Sequence, residues 1–172
     1  MSVFYKLNIA IEKTEAFILS TSILAMMLNT TTNALSRYLI GQSMYFSEEI
    51  NRFLIIAVTF VGLAYGVRKG RNIRMTALYD ALSSKHKKYL TTFIAITSSI
   101  IMFALAYEAI LYILHIKQIN RLSPSLQIPV YTIFIIIPIG FMMAGLQYFI
   151  RFVQNLIHPE IYSGNNLIEE KE

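Results

Sequence analysis

Residues 46–69, FSEEINRFLIIAVTFVGLAYGVRK, decide how many times this chain can cross a bilayer. A helix rises about 1.5 Å per residue, so a hydrocarbon core of about 30 Å needs roughly 20 mostly apolar residues. Phe53 to Val67 is charge-free for only 15 residues, too short alone. Counting back from Arg68, the helix has to begin near Ser47 to cross. Ser47 is then the expected N-cap, with Glu48 and Glu49 at the positive end of the helix dipole. Arg52 follows Glu48 by four residues and Glu49 by three, so it is expected to pair with either on one face and hold all three at the membrane edge.

Three other stretches read as spans with less argument. Residues 16–36 carry no charge between Glu15 and Arg37, and 89–107 carry none between Lys88 and Glu108, with apolar character continuing to Ile116. The run from Leu122 to Ile150 is the longest. Its helix is expected to start near Pro129, because a first helical position has no intrahelical use for the missing N–H. The expected architecture is an all-α integral membrane domain over 1–158, with four spans near 14–37, 47–68, 88–116 and 128–152. Short amphipathic interfacial helices complete it. The tail, 159–172, holds Ser163, Gly164, Asn165 and Asn166, then Glu169, Glu170, Lys171 and Glu172, and reads as polar, flexible and cytoplasmic. The first span reads as a retained helix and not as a cleaved leader: Glu12 and Glu15 flank Lys13, the apolar run is long, and no clear small-residue cleavage site follows it.

Composition agrees. The chain has 172 residues, 55% hydrophobic and 15% charged, with mean hydropathy +0.53. Soluble domains carry about 25% charged residues, so little polar surface is left to wrap a water-facing globule. The net charge of +5 sits largely in one stretch with no nucleic-acid reading motif, which argues against a nucleic-acid partner. Orientation follows the lysine and arginine asymmetry. Arg68, Lys69, Arg71, Arg74, Lys85, Lys87, Lys88, Lys6, Lys13, Arg151 and Lys171 fall on one side; Arg37, Arg52, Lys117 and Arg121 fall on the other. The heavy side is expected to be cytoplasmic, giving N-in, C-in.

Met75, Leu78, Tyr79 and Leu82 recur at helical spacing between polar residues. That is either an amphipathic segment lying on the cytoplasmic surface or a connecting helix packed on the bundle. With Arg68, Lys69, Arg71 and Arg74 it makes a candidate interface anchor. Phe4, Leu7 and Ile11 hint at a similar element before the first span. Tyr38, Tyr45, Phe46 and Tyr131 cluster near the expected outer boundary, as an aromatic belt does.

No catalytic, cofactor or metal site is expected. The chain has no cysteine, and His86, His115 and His158 lack ligand spacing. Serines and threonines abound without a nucleophile elbow or a placed His/Asp pair. Glu108 is the one acid inside an apolar run; it is either a coupling residue or a group that reaches the interface, Lys117 or a partner subunit. Gly62, Gly66 and Gly70 form a small-residue ladder, serving either packing within the bundle or an intermolecular face. Pro138 is expected to kink the fourth span, with Gly140 and Ala144 beyond it as a second small patch. Asn29 to Asn33 give span one a polar outer half that needs protein partners, from this chain or a second subunit.

The ordered set Phe46-Ser47-Glu48-Glu49-Ile50-Asn51-Arg52, Gly62, Val67-Arg68-Lys69-Gly70, Asn72-Ile73-Arg74, Leu126-Gln127-Ile128-Pro129 and Pro138-Ile139-Gly140-Phe141 resembles the small membrane subunit (Q, or DctQ-like) of tripartite ATP-independent periplasmic, or TRAP, transporters. The resemblance covers about residues 10–155. Asn72 stands where many members have His, and Thr76 where many have Asp, so no role resting on those groups carries over.

The resemblance implies a scaffold subunit in a bacterial inner membrane. Its implied partners are a large elevator-type membrane subunit and a periplasmic substrate-binding protein. The implied task is sodium-coupled uptake of an organic acid, sialic acid or a C4-dicarboxylate. Glu48, Glu49 and Arg52 become candidate contacts to subunit or binding protein. A self-sufficient homodimeric carrier and a non-transport membrane adaptor are the rival readings. Against the first, a hydrophilic acid needs several convergent polar groups at the midplane, and the spans supply few.

Overall fold

The computed structural model describes residues 2–70, 83–157, 162–163 and 166–167. Among the described residues, five helices carry the fold: α1 (Ser2–Leu39), α2 (Ser47–Lys69), α3 (Ser84–Gln118), α4 (Val130–Phe134) and α5 (Ile136–Ile157). A two-residue antiparallel ladder, Tyr162–Ser163 with Asn166–Leu167, follows them. Among the described residues, three stretches, Ser47–Lys69, His86–Gln118 and Val130–Ile157, are long and apolar enough to cross a membrane. The 38-residue α1 has ample length, but Asn29 to Asn33 interrupt its apolar character.

Ser47 starts α2, yet not as its cap. The capping position is Phe46, and no side chain caps the helix; Ser47 is the first helical residue and buried. A turn closed by Ser47 N–H on the Met44 carbonyl (3.0 Å) shifts the boundary by one residue. Glu48 and Glu49 still occupy the first turn and Arg68 and Lys69 the last, so both ends complement the helix dipole. The C-terminal stop is Gly70 at φ 66°, whose N–H reaches the Val67 carbonyl at 3.0 Å. This left-handed position suits a residue without Cβ. Gly70 therefore ends the helix.

Near the position where Pro138 was expected to kink the span, the helical hydrogen bonding is interrupted at Ile135, between α4 and α5, while the Ile135 backbone keeps helical dihedrals (φ −56°, ψ −28°). The proline ring opposes the carbonyl four residues back, Phe134, which is where α4 ends. Pro129 sits just outside α4 as its capping residue, and not at the first helical position.

The helices pack in the order α1, α2, α5, α3, with α2 between α1 and α5, and α5 between α2 and α3. The core is small: Ala64, Val67 and Ala144 are fully buried, and Ala95 and Ala106 nearly so. Small residues set the close approaches. A Cβ on Gly140 would lie 2.7 Å from both Phe60 Cβ and the Phe60 carbonyl oxygen, so α2 and α5 touch backbone to backbone there. Phe60 and Phe141 meet edge to face at 5.1 Å beside this point. Gly145 faces α3 less tightly, a Cβ there lying 3.3 Å from the Phe103 ring and 3.4 Å from Met102 Cβ, while Ser99 donates to its carbonyl at 3.1 Å. Large apolar side chains such as Phe17, Leu28, Phe93 and Ile101 stay exposed, as lipid or a protein partner requires.

Candidate functional site

The polar chemistry gathers at the two ends of this helical row. At one end, Arg68 of α2 is buried against α1. Its Nε and Nη2 donate to the two carboxylate oxygens of Glu15 at 2.9 Å each, and its Nη1 donates to Asn8 Oδ1. Such a forked pair fixes both distance and orientation. Lys69 pairs with Glu12 one turn along α1, half exposed. From α5, buried Arg151 donates through Nη2 to the Val67 carbonyl at 2.6 Å and lies over the Tyr148 ring. Three helices are thus tied around the C-terminal end of α2.

Arg68 and Lys69 carried an expectation as membrane-interface anchors. Arg68 is engaged by Glu15 inside the protein, with its side chain 2% exposed. Lys69 is held by Glu12 and lies 5.9 Å from the Tyr65 ring centroid. Arg71, Arg74, Met75 and Leu78 lie outside the described residues.

At the opposite end, Glu49 is buried and turned away from its own helix. Its Oε2 accepts from the backbone N–H of Leu126 at 2.8 Å and of Ser125 at 3.2 Å, with the Ser123 hydroxyl beside them. Ser125 Oγ donates to the Tyr45 carbonyl. The 119–129 connection is itself folded: Ser123 N–H reaches the Ile128 carbonyl, Val130 N–H reaches the Arg121 carbonyl, and Gln127 takes a left-handed φ of 53°. Glu49 thereby pins the α3–α4 connection onto the first turn of α2.

No close ion pair joins Arg52 to either glutamate, although the Arg52 charge still acts on Glu49 from longer range. Glu48 and Arg52 are exposed, and the described ion pairs are those of Glu15 and Glu12. Two backbone amides from the loop out-compete a solvated guanidinium for Glu49, because they are fixed in place and have no side-chain entropy to lose.

The polar half of α1 is satisfied at this same end. Asn29 Nδ2 donates to the Ser47 carbonyl and to Asn51 Oδ1, both at 2.8 Å, and Asn51 donates to Thr30. Asn33 Oδ1 receives Met44 N–H and Ser43 Oγ. The partner these groups needed is the chain's own α1–α2 connection.

Of the glycine ladder, Gly62 meets Leu19 of α1 at an ordinary 3.5 Å, whereas nothing lies within 4 Å of a Cβ on Gly66. Because α1 and α5 flank α2, they leave a cleft of about 410 Å³ floored by Ala57, Val61 and Ala64 and walled by Thr14, Ile18, Gly140 and Met143. Its lining is almost wholly apolar. Among the described residues, no group of three or more His, Asp or Glu comes together.

Sequence reasoning missed Glu15, Asn8, Arg151, Gly145 and the Ser123–Leu126 donors. A usable signal existed for the first: Glu15 and Arg68 are opposite charges bounding successive apolar runs on the same side.

These features define an all-helical membrane protein whose polar groups lock helices together at their ends. Residues 26–158 match the family described as tripartite ATP-independent periplasmic transporters, DctQ component, and the chain belongs to that family. It is 37% identical over 159 residues to the ectoine TRAP transporter small permease protein TeaB of Halomonas elongata, covering 92% of this chain and 82% of that protein.

Proposed function

We propose that this chain is the scaffold subunit of a tripartite transporter in a bacterial inner membrane. In this reading it pairs with a large elevator-type membrane subunit that carries solute with sodium, and it helps receive a periplasmic binding protein. The observation that carries the reading is the pair of locks on α2. Glu15 and Arg68 at one end, and Glu49 with the Ser125 and Leu126 amides at the other, hold helices rigidly and leave the middle of the row apolar. A fixed partner for a moving subunit needs that build.

Four spans with both termini cytoplasmic fit this role. The lysine and arginine asymmetry supports the orientation, and the length of α1, 38 residues, supports the fourth crossing. The end bearing Arg68, Lys69 and Arg151 is then inner. The outer end presents exposed Glu48 and Arg52 beside the Glu49-pinned loop, and this is the surface proposed to meet the binding protein. The segment holding Arg71, Arg74, Met75 and Leu78 is proposed to rest on the cytoplasmic interface.

The cargo is proposed to be a small organic solute chosen by the other two components. The ectoine named for the relative makes ectoine the first solute to test, beside sialic acid and a C4-dicarboxylate.

The test is co-expression with the neighbouring reading frames, purification in mild detergent and reconstitution. A stoichiometric large membrane protein, with sodium-dependent uptake only when this chain and the binding protein are present, is the expected result. A chain that purifies alone and moves solute by itself would overturn it.

A further inference from the structure

We infer that the exposed face of α3 bearing Glu108, Tyr112 and His115 is the surface on which the large membrane subunit packs, with a hydrogen-bond donor or cation set against Glu108. The inference rests on the proposed pairing of this chain with such a subunit.

The depth of Glu108 comes from its neighbours. Tyr112 stacks on Phe134 at 6.0 Å, so Glu108, one turn away, is level with Pro138. Two residues further along α5, Gly140 abuts Phe60, close to the midpoint of the 23-residue α2. Glu108 is also about 15 Å along the axis from Gln118, where α3 ends, which is half a hydrocarbon core. A glutamate side chain does not span that distance to water.

Glu108 also faces away from its own bundle. Ala95, Ser99 and Ala106 mark the buried side of α3 at this depth, and Glu108 sits nearly opposite them. No described side chain pairs with it: Lys117, the cation expected to reach it, lies over the Tyr131 ring instead. Tyr112 and His115 follow Glu108 at i+4 and i+7, both exposed, and extend a polar stripe from mid-depth to the outer end of the helix.

Hydrocarbon offers such a stripe nothing, and intramembrane acids almost always face protein or water. A second copy of this chain is a poor occupant, since a two-fold contact along this face sets Glu108 against its own mate. Charge therefore favours a different protein that supplies donors.

The test uses the full chain co-expressed with the large subunit. Photo-crosslinking from a Leu105→p-benzoylphenylalanine variant is expected to yield an adduct with the large subunit. E108L is expected to lower the large subunit retained on purification by about tenfold or more, the size of a lost charged hydrogen bond. E108Q, which keeps an acceptor, is expected to retain more than E108L. Circular dichroism of E108L purified alone checks that the chain still folds. Adducts with lipid or a second copy only, or unchanged retention with E108L, would overturn the inference while the wild-type pair still co-purifies. If the wild-type chain retains no large subunit, the proposed function fails and takes this inference with it.

Discussion

Arg68 and Glu15 meet through two parallel hydrogen bonds of 2.9 Å although 53 residues separate them, and their side chains are 2% and 4% exposed. A pair this enclosed gains little over two well-packed apolar residues, but losing one member strands a charge. Arg68→Leu or Glu15→Leu alone is expected to destabilise the chain by about 3–5 kcal/mol, and the double variant by much less than the sum. Thermal unfolding in detergent across all four proteins measures the coupling. Additive losses would mean that the pair does not hold α1 to α2.

Glu49 makes a separable prediction about the opposite end. Its carboxylate is the acceptor for both Ser125 and Leu126 N–H, so Glu49→Ala should speed hydrogen exchange at those two amides. Arg52→Ala, by contrast, should change exchange there far less, because Arg52 makes no close contact with Glu49 and acts on it only through its charge at longer range. Faster exchange in the Arg52 variant alone would show that the guanidinium, and not the loop amides, holds the glutamate.

These two ends show what can be read from sequence and what cannot. Three of the apolar stretches were legible because a hydrocarbon core imposes length: arithmetic on Arg68 put the start of α2 near Ser47, and the helix begins there with its cap one residue earlier, at Phe46. The effect of Pro138 was legible because its missing N–H acts locally, and the helical hydrogen bonding is interrupted at Ile135. Arg52 misled for the opposite reason. Helical spacing put Glu48 and Glu49 within its reach, yet Glu49 found amides 76 and 77 residues away. Local periodicity carries no information on which distant loop folds back onto a helix start. The same holds for Gly145, an ordinary helical residue until α3 lies against it.

Gly140 sets the α2–α5 distance. Gly140→Ala puts a methyl group 2.7 Å from the Phe60 carbonyl oxygen, where no flexible side-chain end can yield. Overpacking of that kind costs about 1–3 kcal/mol. Gly62→Ala, whose nearest neighbour is the movable tip of Leu19 at 3.5 Å, should be milder. Comparing the melting temperatures of the two variants checks the ranking, and a reversed order would place the tight crossing elsewhere.

Gly66 separates the two readings of the glycine ladder. Within the chain a methyl group there meets nothing within 4 Å, and glycine inside a helix costs about 0.5–1 kcal/mol relative to alanine. Gly66→Ala in the isolated chain should therefore be stabilising by about that amount. The outcome in the assembled transporter depends on what covers α2. If lipid lies over Gly66, the variant assembles and supports uptake like the wild type. If a partner helix crosses there backbone to backbone, the isolated chain still gains stability while the complex loses its large subunit. Opposite signs in the two measurements would mark Gly66 as an intermolecular contact; equal signs would leave the contact of Gly62 with Leu19 as the ladder's packing within the chain.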